Sequence, residues 1–447
     1  MKKLLVILSI VMCAVSLVSC TFLAGSYDPG DVDLSQFSQG LEYSMNIDGT
    51  YNVVGIGSCT DTDIKVPPIT EKGRRICMIS KAAFKGNTDI TSVTVTDSVI
   101  NILDEAFMGC TSLESVSMEK GMMTIATSAF ENCTSLTSIN IPEGILTLSN
   151  RAFYGCSALP EIEIPGSVVV IGLNVFENCT SLERASIGEG TVMIGSCIFK
   201  GCTSLTEVIL PESLTMLGSD SFSGCTSFEN IDLPGGLTYI SSGMFKGCEG
   251  LTDVHIPETI TSIGVEAFSN CTNLKTIKIP DGVTNINMLT FEGCSSLENV
   301  IFGENSKLEV IDSYAFMNCN SLKHLYLPAS LTTVRESAFT VCFNIETISF
   351  AENSKLTTVE DSAFGGAPFL KEIVIVKDAE WNDDSILNRT PDRVYFTGNK
   401  EELKNCDLPI INIAGKVYYY SKESSNDTLA WHYVDGKPTP WVETVDE

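Results

Sequence analysis

The chain has 447 residues, of which 44% are hydrophobic and 19% charged, and its formal net charge is −28. That much apolar material supports a large continuous core. So acidic a surface repels nucleic acid and anionic lipid headgroups at long range, which excludes DNA, RNA and polybasic membrane binding, while basic or calcium-bridged partners stay compatible with it.

Residues 1–19 read as a signal peptide, with Lys2 and Lys3 at the start and an apolar run from Leu4 to Val18 that is too short for a transmembrane helix. Leu17-Val18-Ser19-Cys20 resembles the lipobox of bacterial lipoproteins. That resemblance implies cleavage before Cys20 and attachment of diacylglycerol to it; several acyl chains anchor a protein stably where one does not. Thr21 stands where an inner-membrane retention signal has Asp, which points to the outer surface. The alternative is an ordinary secretory signal that contains a cysteine. Residues 20–40, including Asp28-Pro29-Gly30-Asp31, are polar and aperiodic and read as a tether.

Residues 41–75 form an atypical terminal unit, as a stack of coils needs to cover its open apolar end. Tyr43 through Ile56 predicts a hairpin turning at Asp48-Gly49, followed by an extended piece at Ile64-Lys65-Val66. Cys59 and Cys77 are candidates for a bridge within this cap.

From 76 to 376 one pattern recurs. Phenylalanine returns every 23 residues from Phe84 through Phe291 and then at Phe316, Phe339 and Phe364, thirteen copies in all. Three residues later comes a cysteine, from Cys110 to Cys342, with Asn87 and Ala367 in that slot in the first and last copies. Leu136, Ile139 and Ile141 have the L-x-x-L-x-L spacing of a leucine-rich repeat, with Asn140 turned outward between two inward residues. A second extended piece such as Ile145 to Leu148 and a tight helical turn around Ala-Phe-x-Gly-Cys complete each coil. No coil buries its apolar residues alone, so neighbours supply the core. The expected fold is a β-rich solenoid of 23-residue coils with one parallel strand per coil, capped at both ends. Two coils are longer by two residues, at Phe302 to Leu308 and Phe350 to Leu356. Both insertions follow the strand at the same point and should emerge from one edge, as a binding rim or as tolerated loop length.

The run from Ile260 to Pro280 is similar to the leucine-rich repeat of BspA-like bacterial surface proteins. That resemblance implies a solenoid displayed on the cell envelope and adhesion to host extracellular-matrix proteins or to other cells.

Eleven of the seventeen cysteines occupy one slot of successive coils, so they form a column about 5 Å apart. Their Cβ vectors run parallel, which opposes the disulfide torsion, and a linear row does not converge as zinc ligands must. They read as unbridged, small apolar packers. Cys197 lies in a slot held elsewhere by Ser128, Arg151, Asn174 and Asp220 and is the more exposed thiol.

In residues 377–447 the pattern stops. Val394 to Phe396 reads as a strand, Lys400 to Asn405 as a helical turn, and Lys416 to Ser421 with Leu429 to Val434 as a hairpin. The order Trp431-His432-Tyr433 with Trp441 beyond it resembles the C-terminal segment of BspA-like proteins and, distantly, the aromatic repeats of choline-binding modules. Those resemblances imply either a cap over the last coil or a sugar- or choline-binding role for Trp431, Tyr433 and Trp441.

Catalytic chemistry has no carrier in the chain. Three histidines stand outside any metal or nucleophile motif, no phosphate-cradling or dinucleotide fingerprint exists, and no cofactor or metal is expected. The repeat offers a face instead. Its outward column between the inward strand residues reads Thr94, Ser117, Asn140, Glu163, Ser186, Ile209, Asp232, His255, Lys278, Ile301, Tyr326, Ser349 and Val374. Ile209, Asp232, His255, Lys278, Ile301 and Tyr326 combine apolar, charged and aromatic groups and are the candidate ligand-binding residues, with His324 and Arg335 nearby. Two functions fit. One is a lipid-anchored, monomeric surface protein binding a protein or glycan on host or neighbouring cells; the other is a structural or spacer lipoprotein without a specific ligand.

Overall fold

The computed structural model describes residues 32–382, 390–406, 408, 411, 414–435 and 437–442. The expected signal peptide, Cys20 and the start of the tether lie outside them. Two compact units, Met1–Phe228 and Glu229–Glu447, are built from the same leucine-rich coil. Both are parallel β-solenoids.

The period-2 alternation of the first strand decides which side chains are inside. Glu161–Ile164 buries Ile162 and Ile164 and exposes Glu161 and Glu163. It pairs in parallel with Arg184–Ile187, Glu163 lying against Ser186. Equivalent letters thus stand over one another. The second extended piece is a strand of two residues, Thr147–Leu148 in one coil, bonded between Thr124–Ile125 and Val170–Ile171. In the first unit these short strands and the N-terminal hairpin make a nine-stranded sheet; in the second a seven-stranded one. The hairpin is as expected, Glu42–Met45 against Tyr51–Gly55, with Gly49 at φ 82° in its turn.

The turn around Ala-Phe-x-Gly-Cys corrects an expectation, because it contains no helix. Glu105 and Ser128, each immediately before the Ala, adopt left-handed φ values of 58° and 56°, and two residues after the Phe so do Gly109 at 73° and Asn132 at 58°. Alternate N–H groups are therefore aimed at the next coil. Glu105 N donates to Thr127 O at 2.9 Å, Phe107 N to Ala129 O at 2.8 Å and Gly109 N to Glu131 O at 2.7 Å. A non-glycine residue in that region costs about 1–2 kcal/mol. Three inter-coil hydrogen bonds per turn offset it.

Behind the turn the phenylalanines form a ladder. Neighbouring centroids from Phe84 to Phe222 are 5.0 to 5.8 Å apart, and from Phe245 to Phe364 they are 4.9 to 5.4 Å apart. None of the eleven column cysteines is bridged, and all are buried. They do more than fill space: the Cys133 thiol donates to Phe107 O at 3.2 Å, and the Cys271 thiol to Phe245 O at 3.1 Å. Cys59 is unbridged and half-buried, so it does not pair with Cys77.

The ladder of parallel strands runs past the Phe-marked coils. Asp63–Val66 pairs in register with Ser92–Val95, and Glu372–Ile375 is followed by Arg393–Phe396 and then Lys416–Tyr420, each parallel to the last. A short helix, Lys400–Lys404, has a capping box between Asn399 and Glu402. The expected hairpin of the tail is corrected as well. Lys416–Tyr420 and Ala430–Val434 pair in parallel, Tyr420 against Trp431, and it is Ala430–Val434 with Lys437–Pro440 that forms the hairpin. The chain reverses where a residue takes the left-handed conformation, and that is Asp435 at φ 49°.

Candidate functional site

The outward column follows from the pleat. Its members are exposed or half-buried from Thr94 through Ser349. In the first unit Ile209 is 44% exposed at the end of strand Glu207–Ile209. In the second unit the register sets Asp232 against His255, Lys278 against Ile301, and Tyr326 against Ser349. Ile301 is 47% and Tyr326 46% exposed, so both offer apolar surface to a partner. Lys278 is engaged by Glu258, Nζ to Oε1 2.6 Å, and this contact holds the Glu258 carboxyl below its ordinary pKa and raises that of the lysine. Both groups stay exposed, so the pair orients charge more than it stabilises. Arg335 is likewise paired, with Asp312 at 3.2 Å.

Val374 corrects the column at its C-terminal end, because it is fully buried. Its register partner Tyr395 is buried too, stacked on Tyr418 at 5.1 Å and met edge-on by Trp431 at 5.5 Å. The tail folds over the outward face there, so the last positions of the column serve as a floor.

Trp431, Tyr433 and Trp441 contribute to this cover with their polar atoms turned to the backbone. Trp431 is fully buried and its Nε1–H donates to Phe396 O at 2.9 Å. Tyr433 Oη donates to Phe350 O at 3.1 Å, and Trp441 Nε1–H to Ser421 O at 2.8 Å, with the Trp441 ring against His432. A ring with no exposed face has nothing to stack on a sugar or choline, so a glycan role cannot run through Trp431. Burial, then the nearby Glu352 carboxylate, pushes the Tyr433 phenol far up.

Between the tail hairpin and the sheet lies a cavity of about 700 Å³, which the sequence did not reveal. Its lining joins His324, Tyr326 and Glu372 of the outward face to Glu304 of the first two-residue insertion and to Asp435 and Lys437 of the hairpin. The second insertion meets the tail also, Glu352 Oε1 accepting from Tyr420 Oη at 3.4 Å. Both insertions therefore face the one region where the repeat ends. Their shared position after the strand was the sequence signal, and the folding back of the tail was the missing half. His324 bonds Thr347 Oγ1 through Nδ1 at 2.9 Å, and Arg393 holds Glu372 at 3.0 Å. Tyr326 has its phenol pushed up, first by burial and then by the Glu352 charge. Among the described residues no three of His, Cys, Asp and Glu gather as a metal site would require.

With this geometry the comparisons are decisive. The model of the BspA type leucine-rich repeat region matches residues 77–202, 170–298 and 261–391, and no catalytic family is indicated. The chain belongs to the BspA-type leucine-rich repeat family. A solved leucine-rich repeat protein of Bacteroides ovatus is similar at 25% identity over 79% of this chain and 99% of that one, with a TM-score of 0.60. A leucine-rich cell surface protein of Faecalibacterium prausnitzii is similar at 22% identity over 88% and 99%, with a TM-score of 0.48. The pneumococcal vaccine antigen PcpA is similar at 18% over 83% and 94%, with a TM-score of 0.46. No curated protein matches the chain. Membership of the BspA-type family makes the coil architecture general and leaves function to the residues that vary on it.

Proposed function

We propose that this BspA-type protein is a lipid-anchored cell-surface protein whose outward sheet face binds protein partners, host extracellular-matrix proteins or the surfaces of other cells. The observation that carries the reading is the exposure of Ile301 and Tyr326 in the second unit, and separately of Ile209 in the first, at positions the core does not dictate. Aromatic and aliphatic anchors ringed by polar groups are the composition of a protein-binding surface. The sequence of Met1 to Cys20, with its basic start, apolar run and lipobox-like end, supports export and anchoring through Cys20. Protease shaving of intact cells tests the location. Release of solenoid fragments from unbroken cells is the result expected, and full protection until lysis refutes it. Metabolic labelling with a fatty-acid analogue, lost on Cys20→Ala, tests the anchor.

A further inference from the structure

We propose that the cavity beneath the C-terminal hairpin is a docking groove for a cationic peptide segment, an extended stretch of a partner protein carrying Arg or Lys. The inference rests on the protein-binding reading and names the partner's chemistry and place. The cavity, about 700 Å³, has the volume of a built binding site, with buried Val374 and Tyr395 as an apolar floor. Carboxylates reach it from three separate elements, Glu304 from the insertion, Glu372 from the sheet and Asp435 from the hairpin turn. Arg393 holds Glu372, whereas among the described residues neither Glu304 nor Asp435 enters an ion pair. Lys437 offsets one of those charges. Glu352 of the second insertion, whose Oε1 accepts from Tyr420 Oη at 3.4 Å, adds a further negative charge at the tail. The half-exposed Tyr326 ring adds a face on which a guanidinium stacks. A chain of net charge −28 steers such a segment in.

Two other modes of occupation fit less well. Strand addition at the hairpin edge is blocked, because Pro438 and Pro440 occupy the last strand of that sheet. A glycan would want exposed ring platforms, and the tail buries Trp431 and turns the polar atoms of Tyr433 and Trp441 onto the backbone. Side chains entering the groove from above are what its walls receive.

The test uses the full chain and a fluorescein-labelled peptide of alternating Gly and Arg, its Gly and Glu counterpart, and chitotriose, read by anisotropy and calorimetry. The Arg peptide should bind with an affinity that falls as salt rises, and the Glu peptide and the sugar should not bind. Glu304→Gln with Asp435→Asn should weaken the Arg peptide about tenfold with an unchanged circular dichroism melt, while Glu143→Gln, at an exposed position outside the groove and the outward column, leaves it unchanged. Equal binding of the Glu peptide or of chitotriose, or wild-type affinity in the double variant, overturns the proposal. Matrix-protein binding by the same samples is scored separately, so the peptide result decides the groove whichever way that assay falls.

Discussion

The Cys133 thiol donates to the carbonyl oxygen of Phe107, 26 residues earlier, at 3.2 Å. The same carbonyl already accepts the Cys110 N–H at 3.1 Å, so the thiol completes its second lone pair across the coil boundary. The contact recurs at Cys156 with Phe130 and at Cys294 with Phe268. A slot that reads as mere packing is a repeated inter-coil bond, and this explains a sulfhydryl where Ala would fill nearly the same space. Cys133→Ala should destabilise by about 1–2 kcal/mol, combining a lost weak hydrogen bond with a small cavity. Urea denaturation checks it, and a change below about 0.3 kcal/mol would reduce the thiol to filler.

Burial makes this row sensitive to alkali. It pushes the Cys110 thiol up to about 11 and those of Cys225, Cys294 and Cys342 to about 12, and six further column thiols rise well above the ordinary value. Folded-state pKa values above the unfolded value of about 8.5 give stability that is fully present below that pH and is lost as pH rises toward the folded values. Each thiol contributes a slope of up to about 1.4 kcal/mol per pH unit, so ten together lose about 14 kcal/mol per unit, comparable with a typical domain's whole stability of about 5–15 kcal/mol. Circular dichroism under reducing conditions should show cooperative unfolding between about pH 9 and 11. Native signal persisting at pH 11 contradicts this.

Val341 occupies the slot two residues after Phe339 at φ 59°, where other coils carry Gly or Asn. A β-branched residue is poorly suited to that conformation. Its N–H still bonds Gly365 O at 3.2 Å, so the ladder does not depend on the side chain. Val341→Gly should stabilise the second unit by about 0.5–1 kcal/mol, the strain released minus the entropy that Gly adds to the unfolded chain. A lower denaturation midpoint in the variant argues that the Val341 side chain does more packing than its half-buried state implies.

At the tail the last strand, Lys437–Pro440, pairs Pro438 with Tyr433 and Pro440 with Trp431. Trp441 N donates to Ala430 O at 2.9 Å, and by the alternation of antiparallel bonding the N–H groups of Thr439 and Lys437 face inward. The two residues whose N–H would face the open edge are the prolines. Replacing both by Thr should open that edge and produce concentration-dependent self-association, seen as a rising sedimentation coefficient. A variant that stays monomeric at high concentration shows the edge to be guarded by something else.

The period carried most of the architecture in the sequence, because a coil that cannot bury itself forces equivalent residues to stack, and Phe153 or Cys156 could only lie in rows. The turn was less legible. Its left-handed slot two residues before the Phe holds Ser128, Arg151, Cys197 and Glu266, a set with no shared side-chain preference, since the requirement comes from bonds to the next coil. The tail was least legible. Once the repeat ends, strand direction depends on which loop reverses the chain, and Asp435 does so where the polar stretch after Ser421 does not. That single choice buries Trp431, turns Val374 from surface into floor and creates the groove.

The account stands on the outward face as a binding surface, and the direct measurement is surface plasmon resonance of the purified chain over immobilised extracellular-matrix proteins. Wild type is compared with Ile209→Ser, Lys278→Ala, Ile301→Ser and Tyr326→Ala, whose exposed side chains leave the fold intact. Binding by the wild type that weakens at least about tenfold in the Ile301→Ser and Tyr326→Ala variants, with unchanged melting curves, is the result predicted. No binding by the wild type, or equal affinity across all the variants, contradicts it.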